Sequence, residues 1–160
     1  YDAVLWAAEK GVASGMTDSL FAPNASCTRA QMVTFLWRAN GSPVVNYAMK
    51  FTDVPADGYY AEAVRWAVSE DITSGISETA FAPDMTVTRS QTVTFLYRAA
   101  GAPAVSGGSF ADVDANAYYA DAVAWAVAED ITSGTSETTF SPDAPCTRGQ
   151  IVTFLYRDVA

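Results

Sequence analysis

Three tandem helix–loop–helix units, giving an all-α fold with short extended segments, are what this sequence predicts. Two observations carry that prediction. The phrase Thr-Arg-x-Gln, followed by an apolar helical pattern, occurs three times, with its arginines at Arg29, Arg89 and Arg148. A stretch rich in alanine and valine precedes each occurrence, centred on Trp6, Trp66 and Trp125. A period of about 60 residues therefore covers nearly the whole chain, and a fixed period of this kind is the mark of a repeat architecture. The units are residues 1–43, 44–103 and 104–160, together forming one compact module. No unit can bury its apolar face alone, so the three pack together. A closed pseudo-threefold arrangement and an open stack both meet that requirement.

Each unit opens with an amphipathic helix, such as Tyr60-Ala61-Glu62-Ala63-Val64-Arg65-Trp66 and Tyr119-Ala120-Asp121-Ala122-Val123-Ala124-Trp125. The first unit enters this helix partway, at Tyr1. The small and apolar positions recur at helical spacing, which predicts a buried face. A loop follows, with Gly15, Gly75 and Gly134 where the backbone needs positive φ or close approach. Phe21-Ala22-Pro23, Phe81-Ala82-Pro83 and Phe140-Ser141-Pro142 pin that loop with a ring and a fixed φ.

Thr-Arg-x-Gln then starts the second helix. Thr28 with Gln31, Thr88 with Gln91 and Thr147 with Gln150 have capping-box spacing. Gly41 and Gly101 close two of these helices, with Pro43 and Pro103 beyond. Phe51-Thr52-Asp53-Val54 and Phe110-Ala111-Asp112-Val113 are expected as brief extended segments before the next unit's first helix. The first unit has no such segment, because the chain begins after the place for it.

Half of the 160 residues are hydrophobic and 12% are aromatic, enough for a true core. No apolar run is long enough to span a bilayer, so no membrane insertion is expected. The chain opens directly in amphipathic sequence without a signal peptide, as either a segment of a larger exported protein or a cytosolic protein would. The net charge of −9 argues against a nucleic-acid partner. There is no histidine and there are two cysteines, which excludes histidine-based triads and four-ligand thiolate or histidine zinc sites. No cofactor is expected.

Positive charge is concentrated. Six of the nine basic residues are arginines of the repeated phrase: Arg29, Arg38, Arg89, Arg98, Arg148 and Arg157. Arg29, Arg89 and Arg148 fall at the first helical position, where a cation opposes the helix dipole by about 0.3–1 kcal/mol. Compensation is required. One source is an intramolecular carboxylate, with Asp53 and Asp112 as candidates. The other is an anionic ligand held by the guanidinium and by free amides of the helix start. The residues alone leave both open. Arg38, Arg98 and Arg157 lie in the last turn, where a cation is favoured, and are read as structural.

Trp66 and Trp125 are core residues or, with one ring face in a groove, platforms for a sugar. Cys27 and Cys146 occupy equivalent positions and are read as small buried hydrophobes. A disulfide would need their helix starts within about 7 Å. Glu62 with Asp121 and Glu70 with Glu129 recur, but at helix positions expected to be solvated, which speaks against carboxylate catalysis.

Five motifs, Phe-x-Asp-Val, Tyr-Ala-x-Ala-Val-x-Trp-Ala, Ser-Gly, Phe-x-Pro-Asp and Thr-Arg-x-Gln, keep order and spacing over nearly the whole chain. In this they resemble S-layer homology repeats, of which three in tandem are the usual set. The resemblance implies an all-helical pseudo-threefold trimer whose second helices form a central bundle. It implies non-covalent, non-enzymatic anchoring of an exported protein to the bacterial cell wall, at the cell surface. The implied partner is an anionic secondary cell-wall polysaccharide, often pyruvylated, bound in grooves between repeats. The contacts it implies are Arg29, Arg89 and Arg148, with Asp53, Asp112, Gly15, Gly75, Gly134, Tyr60, Tyr119, Trp66 and Trp125 around them. The chain departs from the family pattern with Gln for the usual Glu of Thr-Arg-Ala-Glu, which makes the grooves less acidic. A surface protein-interaction module on the same scaffold is the alternative, and it would pair these arginines internally with Asp or Glu.

Overall fold

The computed structural model describes residues 1–107 and 110–160 and contains six helices. They are α1 Asp2–Glu9, α2 Arg29–Ala39, α3 Ala61–Ser69, α4 Arg89–Ala99, α5 Ala120–Ala128 and α6 Arg148–Val159. Among the described residues, strand-like pairing is confined to isolated bridges. Phe51–Val54 and Phe110–Val113 are turns, which corrects the expected extended segments. Val113 N–H donates to the Phe110 carbonyl at 3.1 Å, so the chain folds back there within four residues.

The second helices start on the predicted capping boxes. Two of them end as the glycines predict. Gly41 and Gly101 adopt φ of 87° and 89°, and their N–H groups return to the Arg38 and Arg98 carbonyls at 3.1 and 3.0 Å. The next N–H groups, of Ser42 and Ala102, reach Trp37 and Tyr97, completing Schellman motifs. The first helices end in the same way with Gly11, Asp71 and Asp130 in the left-handed region.

Packing is between repeats. Among the described residues no repeat packs its own two helices together. Instead α3 lies on α2, α5 on α4 and α1 on α6, while α2, α4 and α6 all touch one another. The contacts therefore run from repeat one to two, two to three and three back to one. At the centre the backbone repeats that circuit in hydrogen bonds. Val87 N–H donates to the Cys27 carbonyl at 2.9 Å, Cys146 N–H to Val87 at 2.9 Å and Cys27 N–H to Cys146 at 3.3 Å. All three side chains are fully buried. A single apolar core results, with Phe81, Phe140, Met32, Leu36, Leu96 and Leu155 among its largest members. Burying each such side chain is worth about 1.5–3 kcal/mol, and here that gain exists only once neighbouring repeats have docked.

Candidate functional site

The three Thr-Arg-x-Gln phrases build the same local structure. Thr28 Oγ1 accepts from Gln31 N–H at 3.1 Å while Gln31 Oε1 accepts from Thr28 N–H at 3.0 Å. Thr88 with Gln91, and Thr147 with Gln150, do the same. The two remaining amides of each helix start are occupied as well. Arg29 and Ala30 N–H donate to the Met85 and Pro83 carbonyls at 2.9 and 3.0 Å. Arg89 and Ser90 donate to Ala144 and Pro142, and Arg148 and Gly149 to Ala25 and Pro23. The expected free amides are therefore absent from all three starts. Carbonyl oxygens of the neighbouring repeat's loop carry the partial negative charge that the positive end of a helix dipole attracts.

The arginine side chains have a partner that the sequence reading did not consider. Arg29 Nε donates to the Phe81 carbonyl at 2.9 Å, Arg89 Nε to Phe140 at 2.9 Å and Arg148 Nε to Phe21 at 3.0 Å. Each guanidinium also lies between two aromatic rings. Arg29 is 4.8 Å from the Phe81 centroid and 5.4 Å from that of Phe95, and Arg89 sits likewise between Phe140 and Phe154. Carbonyl and ring faces replace the expected carboxylate. Among the described residues the one ion pair within 4.0 Å is Arg65 with Glu62. Burial pushes the pKa of Arg29 and Arg89 down from the ordinary arginine value, with Tyr118 and Asp53, and Cys146 and Asp112, opposing it. Arginine keeps its charge through such shifts.

Asp53 and Asp112 have a structural role beside the arginines. The Asp53 carboxylate accepts from Phe81 and Ala82 N–H at 2.9 and 2.8 Å, and Asp112 accepts from Phe140 and Ser141, both at 2.8 Å. These bonds, led by the Phe140 amide, hold Asp112 below the usual carboxylate range. Phe81 and Phe140 are thus held at the amide by an aspartate and at the carbonyl by an arginine. Ala82 and Ser141, whose amides the aspartates hold, stand at φ of 59°. Repeat one keeps the corresponding Ala22 at φ 55°, with Phe21 half-buried where Phe81 and Phe140 are fully buried.

Two cavities open beside these arginines, each at a boundary between repeats. The first, about 240 Å³, is lined by Arg29 of repeat one, Gln91, Thr94 and Arg98 of α4, the Ser74-Gly75 loop and Tyr118. The second, about 490 Å³, repeats it with Arg89, Gln150, Thr153, Arg157, Gly134 and Tyr1. Beyond Nε, the guanidinium nitrogens of Arg29 and Arg89 have no protein acceptor among the described residues, where no buried side-chain nitrogen lacks one, so they reach the cavities. The third boundary differs. Arg148 Nη2 donates to the Ser14 carbonyl at 2.7 Å, and the wider cavity of about 780 Å³ beside Ser14 is lined by repeat one alone, with Arg38, Gly15 and Asp18 and without Arg148.

Gly75 and Gly134 stand at φ of 83° and 90°, and a Cβ at either would lie 2.5–2.6 Å from the Phe51 or Phe110 ring. Gly15 is not in the left-handed region but is hemmed in by the Leu20 carbonyl. Two pairs of predicted contacts change. Tyr60 and Tyr119 pack edge-on against Tyr59 and Tyr118, and of these four it is Tyr118, 63% exposed, that lines the first cavity. Trp66 and Trp125 are 6% and 4% exposed, which takes the core side of the two readings open to them and leaves little ring face for a sugar. Trp125 packs against Tyr97 with ring centroids 5.7 Å apart and planes tilted by 54°, as part of the α4–α5 contact.

Sequence reasoning set aside Arg98 and Arg157 as helix-terminal cations and missed Gln91, Thr94, Gln150 and Thr153 as cavity residues. The signal was present. Positions 91, 94 and 98, and 150, 153 and 157, lie at i, i+3 and i+7, one face of a helix. Arg98 and Arg157 do donate to the Ile72 and Ile131 carbonyls, at 3.1 and 3.0 Å, so both readings of these residues hold.

Comparison with known proteins gives a consistent picture. The family model for the S-layer homology domain matches residues 1–33, 50–93 and 109–152. The Surface-layer 125 kDa protein of Lysinibacillus sphaericus is 34% identical over 61% of this chain and 8% of its own length. The Surface layer protein of Brevibacillus choshinensis is 30% identical over 61% of this chain and 9% of its own. An amylopullulanase of Thermoanaerobacterium thermosulfurigenes is 26% identical over 93% of this chain, again 8% of that protein. The chain thus spans a tenth or less of the curated relatives it matches. No helix among the described residues is long and apolar enough to cross a membrane.

Proposed function

The chain belongs to the S-layer homology domain family, at the bacterial cell surface, and we propose on that basis that it is a non-enzymatic module that anchors a larger exported protein by holding an anionic cell-wall polysaccharide in its inter-repeat cavities. One observation carries the polysaccharide reading. Two arginines from different repeats, Arg29 with Arg98 and Arg89 with Arg157, line one cavity each, in a chain of net charge −9. No carboxylate lies within ion-pair distance of these arginines among the described residues, so their charge is available to an acidic sugar. The rival protein-interaction reading required carboxylate pairing of Arg89, whose guanidinium instead has a carbonyl and two rings.

The glutamine of each phrase adds to the site. Gln91 Oε1 is taken by the Thr88 amide, which leaves its NH2 group as a donor towards the cavity. A glutamate there would supply a second acceptor and a negative charge. The departure from Glu therefore favours an anion. Each cavity is small and open, so single-site affinity is weak and useful attachment comes from engaging more than one at once. Contact between guanidinium and carboxylate also makes binding salt-sensitive.

Co-sedimentation with purified cell walls tests this. The chain should pellet with intact walls, release as salt rises, and stay in solution with walls stripped of their anionic polymer. Equal binding to stripped walls would overturn the polysaccharide reading.

A further inference from the structure

The two cysteines are left unexplained by the cavities. Cys27 of repeat one and Cys146 of repeat three belong to the central ring of backbone hydrogen bonds, and both thiols are free and fully buried. Ser26 and Thr147 form an antiparallel bridge, which sets Cys27 directly opposite Cys146. Cys27 N–H donates to the Cys146 carbonyl at 3.3 Å, and Arg148 N–H to Ala25 at 2.9 Å on the other side of that bridge. The two share one backbone bond and not both, since Cys146 N–H goes to Val87, but residues directly opposed across an antiparallel bridge have Cα atoms roughly 4.5–5.5 Å apart. That is within the roughly 4.4–6.8 Å that a disulfide spans. Repeat two, the third member of the ring, carries Val87.

We propose that Cys27 and Cys146 are a dithiol pair that closes, on oxidation, into a disulfide locking the first repeat to the third. The structure holds the reduced form. One cysteine thiolate attacks a sulfur of a small-molecule disulfide of the glutathione type and displaces one small thiolate. The second cysteine attacks the resulting mixed disulfide, forms the Sγ–Sγ bond and releases the second small thiolate. The two cysteine protons end on the released thiols, so the cysteines are oxidised by two electrons and the small disulfide is reduced.

Burial pushes Cys27 up to about 12 and Cys146 up to about 11. Thiolate is therefore scarce once the ring has closed, and exchange belongs to the stage when the repeats are assembling. A cell-surface protein folds outside the reducing cytosol, where such a bond persists. Its effect is topological. The α1–α6 contact and the ring carbonyl of Cys146 are the contacts that close repeat three onto repeat one. A disulfide would make that closure covalent and restrict the unfolded chain across most of its length.

The test is to refold the 160-residue chain in mixed oxidised and reduced glutathione, then denature it with an alkylating reagent and no reductant. Mass spectrometry should find no alkylated cysteine and a monomer lighter by two hydrogens. The oxidised chain should melt about 10 °C above the reduced one. Cys27→Val, which copies the residue of repeat two, should abolish that shift. Alkylation of both cysteines, stable glutathione adducts, interchain dimers alone, or a shift that survives in Cys27→Val would each overturn the proposal. The mass of the unsubstituted chain decides the matter even if the variant fails to fold.

Discussion

Arg29 and Phe81 belong to different repeats, yet Arg29 Nε lies 2.9 Å from the Phe81 carbonyl oxygen and its guanidinium lies 4.8 Å from the Phe81 ring centre. Asp53 holds the amide of the same residue at 2.9 Å. The arginine that opposes its own helix dipole thus seats the loop that docks on the helix start. Its structural role and its exposure to a cavity are two uses of one side chain: Nε holds the loop and the outer nitrogens face the open space.

Arg89→Lys therefore tests the structural half. Lysine keeps the charge but loses the planar donor fork and the stacking between Phe140 and Phe154. Stability should fall by about 1–3 kcal/mol, read as a lower urea midpoint with unchanged slope. Arg89→Ala should fall further, so its loss of wall binding would by itself say little about ligand contact.

Arg157→Gln tests the ligand half. Arg157 is exposed, lines the same cavity as Arg89 and makes one backbone hydrogen bond. Wall binding should weaken about tenfold or more, the worth of one charge-assisted hydrogen bond. The melting temperature should change by only a few degrees, since surface substitutions usually stay within about 0.5 kcal/mol. Unchanged wall binding would count against these cavities as the site.

Asp71→Gly and Asp130→Gly should stabilise the protein. Both residues sit in the left-handed region, at φ of 58° and 57°, to end α3 and α5, where repeat one already uses Gly11. A residue with a Cβ pays about 1 kcal/mol there, less for aspartate, so each change should add roughly 0.5–1 kcal/mol in denaturant titration.

Asp158 gives a pH dependence. Burial, reinforced by the charge of Glu129, raises it from 3.8 to about 6. The folded state thus holds the proton more tightly than the unfolded state. This contribution to stability is fully present below pH 4 and is lost as pH rises through 6. Asp158→Asn should be more stable than the unsubstituted chain at pH 7, by about 1 kcal/mol once solvent screening of a half-buried group is allowed for. The difference should vanish near pH 4. A pH-independent difference would assign the effect to packing.

Much of the local structure was legible in the residues. Thr88 and Gln91, three apart, foretold a capping box, and Gly101 foretold a left-handed helix end, because both are closed by groups within a few residues of one another. The buried face containing Trp66 followed from periodicity. The site was legible only in part. Arg29 could be picked out as a cation needing a partner, but its partner Phe81 lies 52 residues away, and nothing local selects a carbonyl over Asp53. Tyr118 and Tyr119 are both tyrosines in a turn, and that Tyr118 is the one lining a cavity depends on where α5 docks on α4. The turn at Phe51–Val54 was missed because Asp53 reaches into another loop instead of extending its own chain.

What the sequence determined by itself is the repeat, the helices and their ends, since these depend on short-range hydrogen bonds and apolar spacing. Tertiary structure decided that helices pair across repeats and not within them, that loop carbonyls fill the helix starts, and that Arg98 joins Arg29 in one cavity. The physical reason is that each of these joins groups from different repeats. Nearly identical repeats offer each helix several equivalent partners, and only burial of the shared core, with Cys27, Val87 and Cys146 closing the ring at its centre, selects among them.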